Sequence, residues 1–265
     1  MVFVYDENVN VIDEQIKNTV ESEIEKVLKS NFDVSTGYLE TIKFVTQDFF
    51  DSNVAALVEP KNKIIYLNYE SFAQVFERKL TDSSDEYCNA INSLLHEYVH
   101  LMNHYEDLLE CSQYVENMDV SKSVKCSIIT LVDEYFATYR SGEKLFSKND
   151  INKILPSMCK YISQYKGKRE SPLYWQVIRN LGIGIAHDTL VLKQQGVSQY
   201  CIDVDHEEVI PYKNLILRIR YCLIEFYSSG KLQLLDDLRL CVEELCEIFG
   251  MDKQFLKDID EYKRT

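Results

Sequence analysis

The scarcity of glycine and proline is the feature that most constrains the fold of this chain. Its 265 residues include only 8 glycines and 4 prolines. Folds made of β-strands alone need many tight turns, and most turn types depend on these two residues. We therefore expect helices to dominate. A hydrophobic fraction of 46% predicts a packed globular protein rather than a disordered chain.

Hydrophobic periodicity predicts an α+β protein in which a small mixed or antiparallel sheet precedes a long helical region. Apolar residues recur every four positions from Ile12 to Leu28, which is typical of an amphipathic helix. Short β-rich runs follow, and the last two flank a "PKN" turn. The candidate strands are 2–5, 41–47, 53–59 and 63–69. The helical patterns after residue 70 are 71–80, 84–106, 122–142, 149–165, 172–195, 210–228, 231–248 and 252–262.

The most polar connector, "KGKRESP" at 166–172, is the predicted boundary between two parts of the chain. Polar segments that contain glycine and lack apolar periodicity commonly join separately packed regions. We predict a first domain at 1–165, which contains the sheet, and a helical second part at 166–265 that packs on it.

Charge and hydropathy restrict the partners and the location of the protein. A formal net charge of −14 repels phosphates, so we expect no nucleic acid and no anionic membrane as a general partner. The N-terminus "MVFVYDENVN" has no charged-then-apolar signal pattern. No apolar run reaches the roughly 18 residues that a membrane-spanning helix needs. We expect a soluble, cytoplasmic protein whose oligomeric state the sequence leaves open.

Eight cysteines raise the alternatives of disulfides or a metal cluster. They form no C-x-x-C pair, and most fall on apolar helical stripes. Reduced, buried thiols of a cytosolic protein are the expected interpretation.

The segment "INSLLHEYVHLMNHYEDLLE" at 91–110 contains three of the five histidines. On a helix, His96 and His100 lie about 40° apart around the axis and about 6 Å apart along it. That spacing lets two imidazole nitrogens reach one metal ion at about 2.0–2.1 Å. Glu97 is about 100° round from His96, where it reaches water at the ion rather than the ion itself. The pattern predicts a catalytic zinc site with Glu97 as general base.

A catalytic zinc site needs a third protein ligand, and two glutamates are candidates. Glu134 lies within the apolar helical pattern "IITLVDEYFATYRSG", where an acid is costly to bury unless it is paired or binds a metal. Glu106 is the alternative. It would require the helix to break at Asn103.

The segment "LLHEYVHLM" resembles the active-site helix of zincin metallopeptidases, and "DEYFATY" resembles the glutamate-bearing helix of the gluzincin branch. "NVAALVEPKNKIIYLN" resembles the zincin hairpin, whose edge strand receives the peptide. The resemblance covers roughly residues 40–142. It implies zinc bound by His96, His100 and Glu134, with Glu97 as general base. It also implies substrate binding along the main chain from Asn53 through Ala55 to Ala56.

The chain departs from the gluzincin pattern beside the third ligand. Asp133 stands where the family has Asn, and Thr138 stands where it has Asp. Zincins also use a Tyr or His to stabilise the oxyanion. His187, within "NLGIGIAHDTLVL", is the predicted donor, with Tyr139 as the alternative.

The expected function is zinc-dependent hydrolysis of a peptide or protein substrate. The chain resembles the small intracellular metallopeptidases of bacteria and their mobile elements. Two alternatives stay open at this point. One is an inactive zincin-like scaffold that acts as an interaction protein, and the other is zinc in a structural role.

Overall fold

The computed structural model of the protein describes residues 1–9, 14–33, 37–50, 55–77, 84–144, 154–168, 171–199 and 210–251. It confirms an α+β protein with a small sheet followed by helices. The chain forms two compact units, residues 1–106 with 140–148 and residues 107–139 with 149–265. The predicted boundary at residue 166 falls inside the second unit, and the predicted domain division stays a prediction.

The first unit contains a four-stranded mixed sheet in the order β1-β2-β4-β3. The strands are β1 Val2–Tyr5, β2 Thr41–Val45, β3 Ala56–Glu59 and β4 Ile64–Asn68. β2 runs parallel to both β1 and β4, whereas β3 pairs antiparallel with β4 as a hairpin. All four predicted strands are present; β1 has its predicted bounds, and the other three are slightly shorter than predicted. The hairpin places β3 at one edge of the sheet.

The hairpin turn is a short 3-10 helix at Pro60–Asn62, as the "PKN" sequence predicts. Lys63 closes it with a left-handed backbone at φ 55°. β4 then ends at Asn68, whose Oδ1 accepts a hydrogen bond of 3.2 Å from the main-chain N–H of Ser71. This side chain caps the following helix and turns the chain abruptly out of the sheet.

Three helices cover one face of the sheet in this unit: α1 Glu14–Asn31, α2 Tyr69–Glu77 and α3 Asp85–Tyr105. Alternate sheet residues Ile42, Phe44, Ile65 and Leu67 are fully buried beneath them. This alternation is what a sheet with one covered face requires. The buried helix residues of this core include Val20, Ile24, Leu28, Phe72, Leu94, Leu95, Tyr98 and Leu101.

In the part of the chain that the structure describes, the second unit consists of helices: α4 Asp107–Glu116, α5 Lys122–Lys144, α6 Ile154–Tyr165, α7 Ser171–Gln194, α8 Lys213–Ser229 and α9 Leu234–Ile248. Only the part of α5 up to Tyr139 belongs to this unit. Short α4 was not predicted, and the predicted helix at 252–262 lies outside the described residues. α6 packs against α7, and α8 against α9. In the described part of the chain, no helix is both long and apolar enough to span a membrane.

A buried hydrogen-bond network joins three helices of this unit. The hydroxyl of Tyr174 on α7 lies 2.9 Å from the hydroxyl of Ser127 on α5 and accepts from Cys246 of α9 at 3.3 Å. Burial raises the pKa of the Cys246 thiol to about 11. None of the seven described cysteines forms a disulfide, and five of them are buried, as the sequence predicted.

Candidate metal centre

Helix α3 gives the HEYVH motif a rigid base. Its first turn is capped by Ser84, whose hydroxyl accepts from the main-chain N–H of Tyr87 at 3.2 Å. Asp85 and Glu86 follow, where negative charge interacts favourably with the helix dipole. Its apolar face is buried against the sheet, and it packs directly against β3. The motif is therefore held by a well-anchored helix beside an edge strand.

His96 and His100 direct their ring nitrogens toward one point. Their Nε2 atoms lie 2.9 Å apart, and the rings are nearly perpendicular with an interplanar angle of 86°. Two nitrogens bound to a tetrahedral zinc at about 2.0–2.1 Å would be about 3.3 Å apart. A separation increase of a few tenths of an ångström brings the pair to that distance, so the two imidazoles fit a shared ion.

The same distance also fits a hydrogen bond between two neutral imidazoles. One Nε2 would carry the proton and the other would accept it, and the ring tautomers decide this. His100 is buried and His96 is partly exposed. The two histidines are therefore either ligands of one metal ion or hydrogen-bonded to each other without a metal.

Glu97 completes a three-residue cluster. The ligand atoms of His96, Glu97 and His100 all lie within 4.8 Å of one another, and among the described residues this is the only such group of three. Glu97 is only 5% exposed, and a buried carboxylate is costly unless it is paired or near a cation. The cluster could therefore hold a metal ion.

Glu134, the predicted third ligand, is a buried residue of α5 in the second unit. Its Oε1 accepts a hydrogen bond from Nε of Arg179 at 2.8 Å. Arg179 lies on α7 and is about half exposed. Part of the cost of burying this acid is thus offset by an arginine that sequence reasoning did not identify, and the ligand role of Glu134 stays a prediction.

Glu106, the alternative third ligand, does not join the cluster. The break at Asn103 that its ligation requires is absent, because α3 continues through Tyr105. Glu106 is exposed and accepts a hydrogen bond of 2.5 Å from the hydroxyl of Tyr38. The helix continues because Asn103 is packed inside the protein rather than placed at a helix end.

The sequence analysis considered Asn103 only as the position where the helix would have to break for Glu106 to be a ligand. It is fully buried, and its Oδ1 accepts a hydrogen bond of 3.3 Å from Nη1 of Arg140. Seven residues after His96, it lies within about 20° of the same helix face. Its spacing of seven residues from His96 could have indicated from the sequence that Asn103 lies on the same face of the helix as the histidine. Its hydrogen bond to Arg140 fixes the end of the histidine-bearing face.

β3 offers an unpaired main-chain edge within the sheet. The main-chain carbonyl of Ala55 accepts a hydrogen bond from the N–H of Asn68 at 2.9 Å, so the main-chain polar groups of Ala55 point toward β4. Because hydrogen bonding alternates along an antiparallel pair, Leu57 also faces β4, whereas Ala56 and Val58 direct their N–H and C=O groups outward. Of the predicted substrate residues, Ala56 lies at the outer edge, Ala55 does not, and Asn53 lies outside the described residues.

The two candidate oxyanion donors both belong to helices of the second unit. His187 is a partly buried residue of α7. Tyr139 of α5 is buried, stacks on Tyr135 with ring centroids 5.7 Å apart, and accepts from Nζ of Lys193 at 3.1 Å. Tyr139 is thus integrated in an aromatic cluster, and the oxyanion role of either residue stays a prediction.

Comparison with known proteins adds no assignment. No family model, no curated protein and no solved structure matches this chain. The site is therefore interpreted from its own residues.

Proposed function

We propose that the protein is a zinc-dependent metallopeptidase of the zincin type that hydrolyses peptide bonds. The observation that carries the proposal is the convergence of the Nε2 atoms of His96 and His100 at 2.9 Å with the buried carboxylate of Glu97 alongside. The donor set supports zinc, since two imidazoles and a nearby acid on an HExxH helix suit that ion. The proposed third ligand, on sequence grounds, is Glu134.

A zinc ion at this position would polarise the substrate carbonyl and make water more acidic. Glu97 would then act as general base. Its carboxylate takes a proton from the attacking water and delivers it to the nitrogen of the leaving amine. His187, or Tyr139 in its place, is the proposed donor to the oxyanion.

The outward edge of β3 supports a peptide as substrate. Ala56 and Val58 present main-chain donors and acceptors beside the helix that bears the motif, and an extended peptide can add to such an edge as a further strand. This arrangement holds a peptide by its main chain and thus independently of most side chains. It leaves the sequence preference of the enzyme to residues beyond the strand.

A second candidate is a non-enzymatic role in which the histidines simply satisfy each other. The 2.9 Å separation, shorter than the distance across a tetrahedral zinc, favours it. In that case the protein is a zincin-like scaffold without metal. The burial of Glu97 beside the two rings favours the metal instead, because a cation there would offset part of the cost of burying its carboxylate.

The test combines metal content and hydrolysis in one variant pair. Glu97→Gln should retain zinc, measured by elemental analysis of the purified protein, and should lower the hydrolysis of a peptide library by at least about 100-fold. Glu106→Gln, an exposed change at the end of the same helix, should alter neither. Equal hydrolysis by Glu97→Gln and wild type would refute the general-base role. A wild-type protein that takes up no zinc would favour the scaffold.

A further inference from the structure

Two cysteines of the second unit meet across a pair of packed helices. Cys222 lies in α8 and Cys241 in α9, both are buried, and the two helices pack directly. A side-chain hydrogen bond joins Cys222 and Cys241. The cysteines are 19 positions apart in the sequence, so the fold, and no local motif, brings them together.

Both cysteines line one surface cleft of about 320 Å³. Leu217, Arg218, Tyr221 and Asp237 complete its lining. Arg218 and Tyr221 are about half exposed, so the cleft opens to solvent beside the two thiols. A small solute can therefore approach a pair of thiols that are otherwise covered by protein.

The two sulfurs are electrostatically unequal. The hydrogen bond with Cys222, and to a smaller extent the positive charge of Arg218, hold the pKa of the Cys241 thiol below its ordinary value. Burial of the thiol opposes this effect most strongly, and the carboxylates of Glu244 and Asp237 oppose it further. Glu244 is itself paired with Arg218 at 2.6 Å. The same hydrogen bond and burial raise the pKa of Cys222. A thiolate is the reactive form of cysteine, so this inequality favours Cys241 over Cys222 as the nucleophile of the pair.

We propose that Cys222 and Cys241 form a redox-active dithiol site that reacts with small hydroperoxides, with Cys241 as the attacking and Cys222 as the resolving thiol. The sulfur of Cys241 attacks one peroxide oxygen. The S–O bond forms, the O–O bond breaks, and the alcohol or water leaves with the proton that Cys241 gave up. The product is a sulfenic acid on Cys241.

The second step closes the disulfide. The sulfur of Cys222 attacks the sulfur of Cys241, the S–S bond forms and the S–O bond breaks. Hydroxide leaves and takes the thiol proton of Cys222 as water. Overall, two thiols lose two electrons and two protons, and the hydroperoxide is reduced to an alcohol and water. The site is independent of the proposed hydrolase activity.

Peptide mapping of the oxidised full-length protein tests the proposal directly. The reduced protein is treated with hydrogen peroxide, remaining thiols are alkylated, and the chain is cleaved after lysine and arginine without reduction. Cys222 then lies in the peptide 221–231, and Cys241 shares the peptide 240–253 with Cys246. We expect these two peptides to be linked through Cys241, with Cys246 alkylated. Unlinked, alkylated Cys222 and Cys241, or a link through Cys246, would overturn the proposal.

Single variants assign the two roles. In Cys222→Ser, a 1,3-diketone probe should trap a sulfenic acid on Cys241. In Cys241→Ser, thiol loss at Cys222 should slow by roughly tenfold or more, since its thiolate is disfavoured. Arg218→Gln should slow the reaction and Arg218→Lys should restore it, while Arg239→Gln, which removes a cation paired with Glu243 on the same helix, should not. Probe labelling of Cys222 instead of Cys241 would reverse the assignment.

Discussion

Gly182 on α7 faces Glu134 on α5 so closely that a Cβ atom on the glycine would lie 3.0 Å from Cβ of Glu134. The same atom would lie 3.0 Å from the main-chain carbonyl of Leu131. A carbonyl oxygen of a helix cannot move without moving the helix. The glycine therefore sets how closely α7 approaches the buried acid, and the same α7 supplies Arg179 to its carboxylate.

Gly182→Ala should destabilise the protein by about 1–3 kcal/mol, because α7 must separate from α5 to relieve the overlap. Helix propensity alone predicts the opposite sign, since alanine is favoured over glycine by about 1 kcal/mol in a helix interior. Urea unfolding followed by circular dichroism measures the difference. A stabilised Gly182→Ala protein would show that the helices separate without cost.

His100 and His104, both on α3, should contribute unequally to metal binding. His100→Ala should abolish binding of stoichiometric zinc, since it removes one of the two converging nitrogens. His104→Ala should leave the zinc content unchanged, because His104 is exposed and lies outside the cluster. Elemental analysis after dialysis provides the measurement. Equal zinc loss in both variants would indicate adventitious binding to surface histidines.

The buried ion pair of α7 and α8 should be a major determinant of stability. Arg220 is fully buried and its guanidinium contacts the carboxylate of Asp188. Asp188→Asn should cost about 3–5 kcal/mol in the free energy of unfolding, because it removes the negative charge of a carboxylate in direct contact with a buried guanidinium. Glu243→Gln removes a partly exposed partner of Arg239 and should cost less than about 1 kcal/mol. Similar costs for the two variants would show that Arg220 is solvated in the folded protein.

Burial of Cys111 should make the protein less stable at alkaline pH. Burial, with a smaller contribution from the nearby Asp133 carboxylate, raises the pKa of this thiol from 9.0 to about 12. The folded state therefore holds the proton more tightly than the unfolded state. The resulting stability is complete below pH 9 and is lost as the pH rises toward 12, with a slope of up to about 1.4 kcal/mol per pH unit.

Cys111→Ala should flatten this slope between pH 9 and pH 12, as measured by urea unfolding at several pH values. Cys88→Ala, at a partly buried position near the start of α3, is the matched control. The other titrating groups are common to both proteins, so the difference between them isolates Cys111. An unchanged slope in Cys111→Ala would show that this thiol ionises equally well in both states.

Local sequence patterns predicted most helices and strands, because each pattern depends only on residues that are close together in the sequence. The four-residue spacing that leads to Val20, Ile24 and Leu28 predicted α1, and those side chains are buried as the spacing requires. The HEYVH spacing likewise predicted a helix that brings His96 and His100 together. α4 was missed because its ten residues follow α3 almost directly, with only Glu106 between them.

Contacts between residues that are far apart in the sequence were harder to predict. The break at Asn103 that ligation by Glu106 would require does not occur. The residue that satisfies this asparagine inside the continuous helix, Arg140, is 37 residues away in the sequence. The expectation that Ala55 binds substrate depended on strand register, which the pairing with Asn68 determines.

By itself, the sequence determined the class of elements, the presence of a small sheet and the histidine cluster, because the hydrophobic period and the turn residues act over a single helical turn or strand. Only the tertiary structure decided which main-chain groups of β3 face outward, which arginine meets Glu134 and which cysteines meet between α8 and α9. Periodicity shows that a face is apolar, but it carries no information on the partner that covers that face. Long-range packing selects the partner, and with it the chemistry of each site.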